Sequence, residues 1–231
     1  PAALIVTDGR TRWPAQVVPV ANGETLLLFS DGLPPANADL RIVQSPTVQD
    51  APTDKKTICF TAGTLLDTPD GPRAIEDLYP GDRVDTRDNG PQEVLWMGLR
   101  RVSGVVSPGH QMLISGRKVQ ALWNTAEVLV RAQDMIDGVR VAVDHSATEA
   151  TYLHVLTQHH QVLRANGVWS ESFHPGEADL SHVNTAEMEE LLDRVPGIDT
   201  DDSAYGPSAR RCLSAAELAI LRHDGPPRYL I

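Results

Sequence analysis

Cys59-Phe60-Thr61-Ala62-Gly63-Thr64, followed by Thr68-Pro69-Asp70-Gly71, Ile75-Glu76-Asp77-Leu78 and Gly81-Asp82-Arg83-Val84, is the stretch on which the fold turns. It opens on one of only two cysteines, the other being Cys212. A lone cysteine at the start of a β-prone run is more often a small core residue than a nucleophile, so its surroundings have to carry any chemical reading. The contexts of Cys59 and Cys212 differ too much for a disulfide framework, and a thiol is expected at both.

Working outward, the residues from Thr57 to about Phe173 form short runs rich in Val, Ile, Leu, Thr and Trp. They are punctuated by Pro69-Asp70-Gly71-Pro72, Pro80-Gly81-Asp82, Asp88-Asn89-Gly90-Pro91 and Asn166-Gly167. Closely spaced short strands of this kind predict a mostly β body. Helical pieces within it are brief: one turn over Ala74-Ile75-Glu76-Asp77-Leu78, and a turn capped by Thr125 through Ala126 and Glu127. Residues 1–44 carry further β-prone runs, Leu4-Ile5-Val6, Val17-Val18-Pro19-Val20 and Leu26-Leu27-Leu28-Phe29, with Asn22-Gly23 signalling a hairpin. Residues 45–56, polar and with two prolines, read as an exposed linker. Beyond Phe173 the period becomes helical. Asn184 with Glu187 opens a helix carrying Met188, Leu191 and Leu192 on one face, and Ser214 with Glu217 opens another carrying Leu218 and Leu221. The expected organisation is 1–44 an N-terminal β-rich segment, 45–56 linker, 57–173 the main domain, and 174–231 an extension with two short helices.

The bulk properties exclude several function classes. A chain of 231 residues, 41% hydrophobic, can bury a core without covalent staples. A formal charge of -11, with no run of Lys and Arg, opposes binding to phosphate backbones, so nucleic acid is not an expected partner. No apolar run approaches the ~18 residues of a membrane span, and Pro1-Ala2-Ala3-Leu4 lacks a basic n-region followed by an apolar stretch. The compartment is left open between the cytoplasm and secretion. Eight histidines are present, and His154, His159 and His160 lie close together, yet no His-x-x-x-His helix or paired-cysteine motif accompanies them. Neither a metal nor a cofactor is expected. Phosphate-binding glycine loops and a Gly-x-Ser-x-Gly elbow are also absent.

The ordered block from Cys59 to Val84 resembles the N-terminal splicing block of inteins and Hedgehog autoprocessing domains, which share the Hint fold. In that family the cysteine is the first residue of the domain and the glycine after it allows a tight turn. A second stretch, Val105-Val106-Ser107-Pro108-Gly109-His110-Gln111-Met112-Leu113-Ile114, resembles the Thr-x-x-His block, with Ser107 in the threonine position and His110 as the histidine. A third, Thr151 to Leu156 and then His159 to Val168, is similar to the penultimate block, with His160 matching its histidine. Two departures stand out. Gln158 occupies a position where inteins often have an acid, and the closing His-Asn is replaced by Asn166-Gly167-Val168-Trp169-Ser170-Glu171-Ser172. The run from Trp169 to Pro175 is similar to a bacterial Hint subfamily that lacks the terminal His-Asn. Cys59 to Ser172 is too short to house an inserted homing endonuclease.

The resemblance implies a mostly β, horseshoe-like Hint-type fold with a small N-terminal β region and short C-terminal helices. It implies that the Cys59 thiol attacks the Ile58 carbonyl and converts the Ile58-Cys59 peptide bond to a thioester. An ordinary thiol, with a pKa of about 8.5, is ionised to only a few per cent near neutrality, so a neighbouring base is needed. His110 is expected to deliver a proton to the departing Cys59 nitrogen, with Ser107 holding the imidazole or the scissile carbonyl. Glu171-Ser172 offers no side-chain amide able to cyclise, which argues against splicing. What remains is single-turnover cleavage of the chain's own N-terminal segment, or its transfer to an external water, amine, thiol or alcohol. The acidic closing helices, with Glu187, Glu189, Glu190 and Asp193, are a poor match for a sterol-binding segment. Two rival readings are a catalytically silent fold serving as a structural or interaction module, and an N-terminal binding module that Hint chemistry attaches or releases.

Overall fold

The computed structural model describes residues 2–19, 25–29, 32–35, 40–44, 58–103, 109–137, 141 and 149–223. The expected linker at 45–56, the Asn22-Gly23 turn and Ser107 lie outside the described residues. Among the described residues short strands dominate, joined by three α-helices, α1 (Arg117–Trp123), α2 (Thr185–Arg194) and α3 (Ala215–Arg222). The fold is mostly β.

The chain divides into two compact units that do not follow chain order: Pro1–Thr53 groups with Ser115–Glu127 and Leu213–Ile231, and Asp54–Ile114 groups with Val128–Cys212. The first unit holds an antiparallel sheet of β1 (Ala2–Thr7), β2 (Arg12–Pro19), β3 (Thr25–Phe29) and β4 (Arg41–Gln44) in the order β3-β2-β1-β4. The pairing of Val18 with Leu26 and Pro19 with Thr25 is that of a hairpin whose arms flank Asn22-Gly23. Strand β2 alternates, burying Trp13 and Ala15 and exposing Pro14 and Gln16, as a sheet with one covered face requires.

The larger unit carries the candidate site. Its three-stranded sheet has the order β10-β13-β5, where β5 is Phe60–Thr61, β10 Trp96–Ser103 and β13 Glu149–Leu156. Strand β13 is central, pairing Gly98 with His154 on one side and Leu153 with Phe60 on the other. A second, longer path of strands includes β11 (Gln111–Ser115), β14 (Val162–Ala165) and β15 (Val168–Glu171). One core gathers Phe60, Leu66, Ile75, Val84, Leu153 and Leu163. The other gathers Ile58, Trp96, Leu156, Phe173, Leu191 and Tyr205, so the body of this unit continues well past residue 173.

Local signals in the sequence explain the helices. Asn184 and Ser214 each accept from the backbone of the glutamate three residues on, and each glutamate bonds back, giving two complete capping boxes. Leu191 is wholly buried, with Met188 and Leu192 packed beside it. The turn expected at Ile75–Asp77 forms as a 3-10 helix. The turn expected at Thr125 does not form: α1 lies just ahead of it, and Thr125 Oγ1 instead donates to the Glu127 carbonyl at 3.2 Å.

Candidate functional site

The register of β5 against β13 decides what Cys59 faces. With Phe60 opposite Leu153, one further step along the two antiparallel strands sets Cys59 beside His154. The side chains meet there: His154 Nε2 lies 3.8 Å from Cys59 Sγ, and His154 Nδ1 lies 2.6 Å from the Ile58 carbonyl oxygen. A carbonyl oxygen only accepts, so Nδ1 carries the proton and donates it. When the ring is neutral, that leaves the Nε2 lone pair directed at the thiol. One imidazole thus touches both partners of the proposed attack, the sulfur and the oxygen of the bond before it.

The bond is enclosed. Ile58 is 1% and Cys59 4% exposed. The His154 ring stacks on Trp96 at 6.1 Å with 16° between planes and meets Phe173 at 4.5 Å, so aromatic packing fixes its plane. Just downstream, Thr61 to Thr64 closes a tight turn in which Gly63 takes φ of 82° and Thr64 N–H donates to the Thr61 carbonyl at 3.1 Å. A side chain would be strained at that φ, and the freed Gly63 N–H is held by Glu76 at 2.8 Å.

Gly98, the cross-strand partner of His154, sits under the Trp96 ring. A Cβ there would overlap Trp96 and come within 2.9 Å of His154 Cδ2. Gly98→Ala is therefore expected to push both rings aside, with a destabilisation of about 1–3 kcal/mol and a loss of Cys59 reactivity. Thermal melting read alongside any cleavage time course tests this, and an unchanged cleavage rate would show that the ring's position is immaterial.

The other predicted residues lie elsewhere in the unit. His110 packs edge-on against Phe60 with centroids 4.7 Å apart, and its Nδ1 has no hydrogen-bond partner among the described residues. Burial, reinforced by the nearby His160, lowers its pKa from 6.5 to about 4, so the ring is neutral at pH 7. The role expected of it, supplying a proton near neutrality, is not what such a ring does readily. Because the unfolded chain binds this proton near pH 6.5 and the folded protein only near 4, stability is full above pH 6.5 and falls as pH drops from 6.5 towards 4. The lost contribution is on the order of 3 kcal/mol. His174 is shifted in the same direction, mainly by burial. Urea titrations between pH 7.5 and 4 should show the loss, and His110→Asn should flatten it.

His160 is tied at both nitrogens. Nδ1 accepts from Ala209 N–H at 3.0 Å, so Nε2 carries the hydrogen and faces the Ser172 carbonyl at 3.2 Å and Glu171 Oε2 at 3.4 Å. Glu171, wholly buried, also accepts from Gln111 N–H at 2.8 Å and Gln111 Nε2 at 3.1 Å. An open cleft of about 540 Å³ adjoins this network, lined by Asn89, Gln92, His160, Gln161, Tyr205 and Ser208. Neither Cys59 nor His154 lines it. Among the described residues no group of three or more His, Cys, Asp or Glu is placed to hold a metal ion, and no helix is long and apolar enough to cross a membrane.

His154 is the residue that sequence reading did not single out. The signal was its place inside the apolar run Tyr152-Leu153-His154-Val155-Leu156, but the strand facing it is distant in sequence and cannot be read from one chain.

A mostly β body that brings a thiol and an imidazole to one peptide bond places the chain among domains suited to rearranging their own backbone. The sequence profile of the Hint domain matches residues 58–105 and 104–177, together just over half of the chain, and the chain belongs to the Hint family. Membership points in general to autoprocessing. No curated protein and no solved structure matches it.

Proposed function

We propose that the chain is a single-turnover, self-cleaving protein in which Cys59 attacks the Ile58 carbonyl. The observation that carries the reading is the His154 ring set between Cys59 Sγ and the Ile58 oxygen. Nε2 takes the thiol proton, the thiolate adds to the Ile58 carbonyl carbon, and Nδ1–H stabilises the oxyanion. Nε2 then returns the proton to the Cys59 nitrogen as the C–N bond breaks, giving a thioester and a free amine. The step is an isomerisation and consumes nothing.

The proton role that the sequence suggested for His110 passes in this scheme to His154. His110, neutral and buried beside Phe60, is a weak base at pH 7 and takes no part in the acyl shift. His160 acts as a positioning residue, pinning the 207–209 segment to the end of β15. Splicing is not part of the scheme, because Glu171 and Ser172 lack the amide that cyclisation needs. The products are the N-terminal segment ending at Ile58 and the remainder beginning at Cys59.

One observation favours the silent alternative. The bond is so enclosed, with Ile58 at 1% exposure, that an incoming nucleophile reaches it only after local opening. Incubation with dithiothreitol at neutral pH, followed on denaturing gels, separates the two readings. Self-cleavage predicts a fragment ending at Ile58 that accumulates with time. A chain that stays whole after mild urea has opened the structure would leave the fold as a structural module.

A further inference from the structure

The N-terminal strands do not complete a unit by themselves. Their compact unit also contains Ser115–Glu127 and Leu213–Ile231, which lie beyond the proposed cut. Strand β2 packs against α3, and α3 packs against α1. The strands bury Val6, Trp13, Ala15 and Val18, while α1 buries Val119 and Trp123, and α3 buries Ala216 and Leu218. The helices are fixed to each other as well: Lys118 Nζ donates to the Leu221 carbonyl at 3.4 Å and the His223 carbonyl at 2.9 Å, closing the last turn of α3. A sheet with one apolar face must bury it against a second layer, and here the helices from downstream supply that layer.

From this arrangement we infer that cleavage at Ile58-Cys59 leaves the two products bound to each other, with strands β1 to β4 of the released segment held by α1 and α3 in a nicked complex. The occurrence of such a complex in nature rests on the self-cleavage proposed above, whereas the seat itself does not. A fragment of 58 residues is near the size at which a single core stops being sufficient. It therefore has more to gain from staying on the helices than from folding alone. The Hint half would then act as the lasting carrier of its own N-terminal segment.

The test cuts the chain without using Cys59. A recognition site for a sequence-specific protease is inserted between Pro52 and Thr53 in the otherwise unaltered chain, and the nicked product is run on a native sizing column. Both fragments are expected in one peak at the size of the intact chain, and elution in two peaks would overturn the inference. Leu218→Ala, which shortens a buried side chain of α3, is expected to make the peak separate at lower urea than in the unaltered protein. Ala219→Asp, on the exposed side of the same helix, is expected to change nothing. If Leu218→Ala behaved like Ala219→Asp, α3 would not be the seat. Parallel treatment with dithiothreitol keeps the two ideas apart. Co-elution after the protease, with no thiol-induced fragment, would retain the seat and remove self-cleavage. Thiol-induced fragments that elute apart would do the reverse.

Discussion

Cys59→Ala is expected to abolish release of the N-terminal segment under every condition in which the unaltered protein cleaves, including added thiol. The reason is stoichiometric: without Sγ there is no atom to hold the acyl group, and thiol or hydroxylamine has only an ordinary amide to attack. The substitution is small and removes one buried polarisable atom, so the fold should persist and melting should shift little. Cys59→Ser sharpens the expectation. A hydroxyl is a far weaker nucleophile near neutrality, and any ester formed would be slow to appear. Release of a fragment ending at Ile58 from Cys59→Ala would show that cleavage runs through some other group.

The second large effect is expected at His154. His154→Ala removes both the acceptor for the thiol proton and the donor to the Ile58 oxygen, and a general acid–base group of this kind is worth about 10²–10⁴-fold in rate. Since the ring also packs on Trp96 and Phe173, some of the loss from alanine will be structural. His154→Gln separates the two contributions. It keeps much of the volume and retains an N–H able to reach the Ile58 carbonyl, but it cannot take a proton from sulfur. Cleavage should fall nearly as far with glutamine as with alanine, while melting falls much less. A glutamine variant that cleaves at the original rate would make His154 a packing residue only.

Parts of this picture were legible in the sequence because they rest on local chemistry. The Cys59 block encoded the tight turn at Gly63, and Asn184 with Glu187 and Ser214 with Glu217 encoded the starts of α2 and α3. Helix α1 was missed because it spans seven residues and its N-cap, Gly116, has no side chain to announce it. His154 was passed over in favour of His160 for a different reason. The resemblance to the penultimate block points to His160, whereas the geometry depends on which strand lies beside which. Only the pairing of β5 with β13 brings residue 154 to residue 59. The same limit hid the make-up of the first unit, where strands before Cys59 share their core with helices after it.

The pairing of one thiol with one imidazole across the Ile58-Cys59 bond is the centre of the account, and its direct consequence is a thioester at Ile58. Hydroxylamine converts a thioester to a hydroxamate, and mass analysis of the unaltered protein after incubation at neutral pH separates a fragment ending at Ile58 from any cut at Asn22-Gly23, Asn89-Gly90 or Asn166-Gly167. The account predicts a fragment ending in a hydroxamate on Ile58, together with a remainder beginning at Cys59, and neither from Cys59→Ala. A full-length mass that does not change with time, even in urea sufficient to open the site, would contradict it.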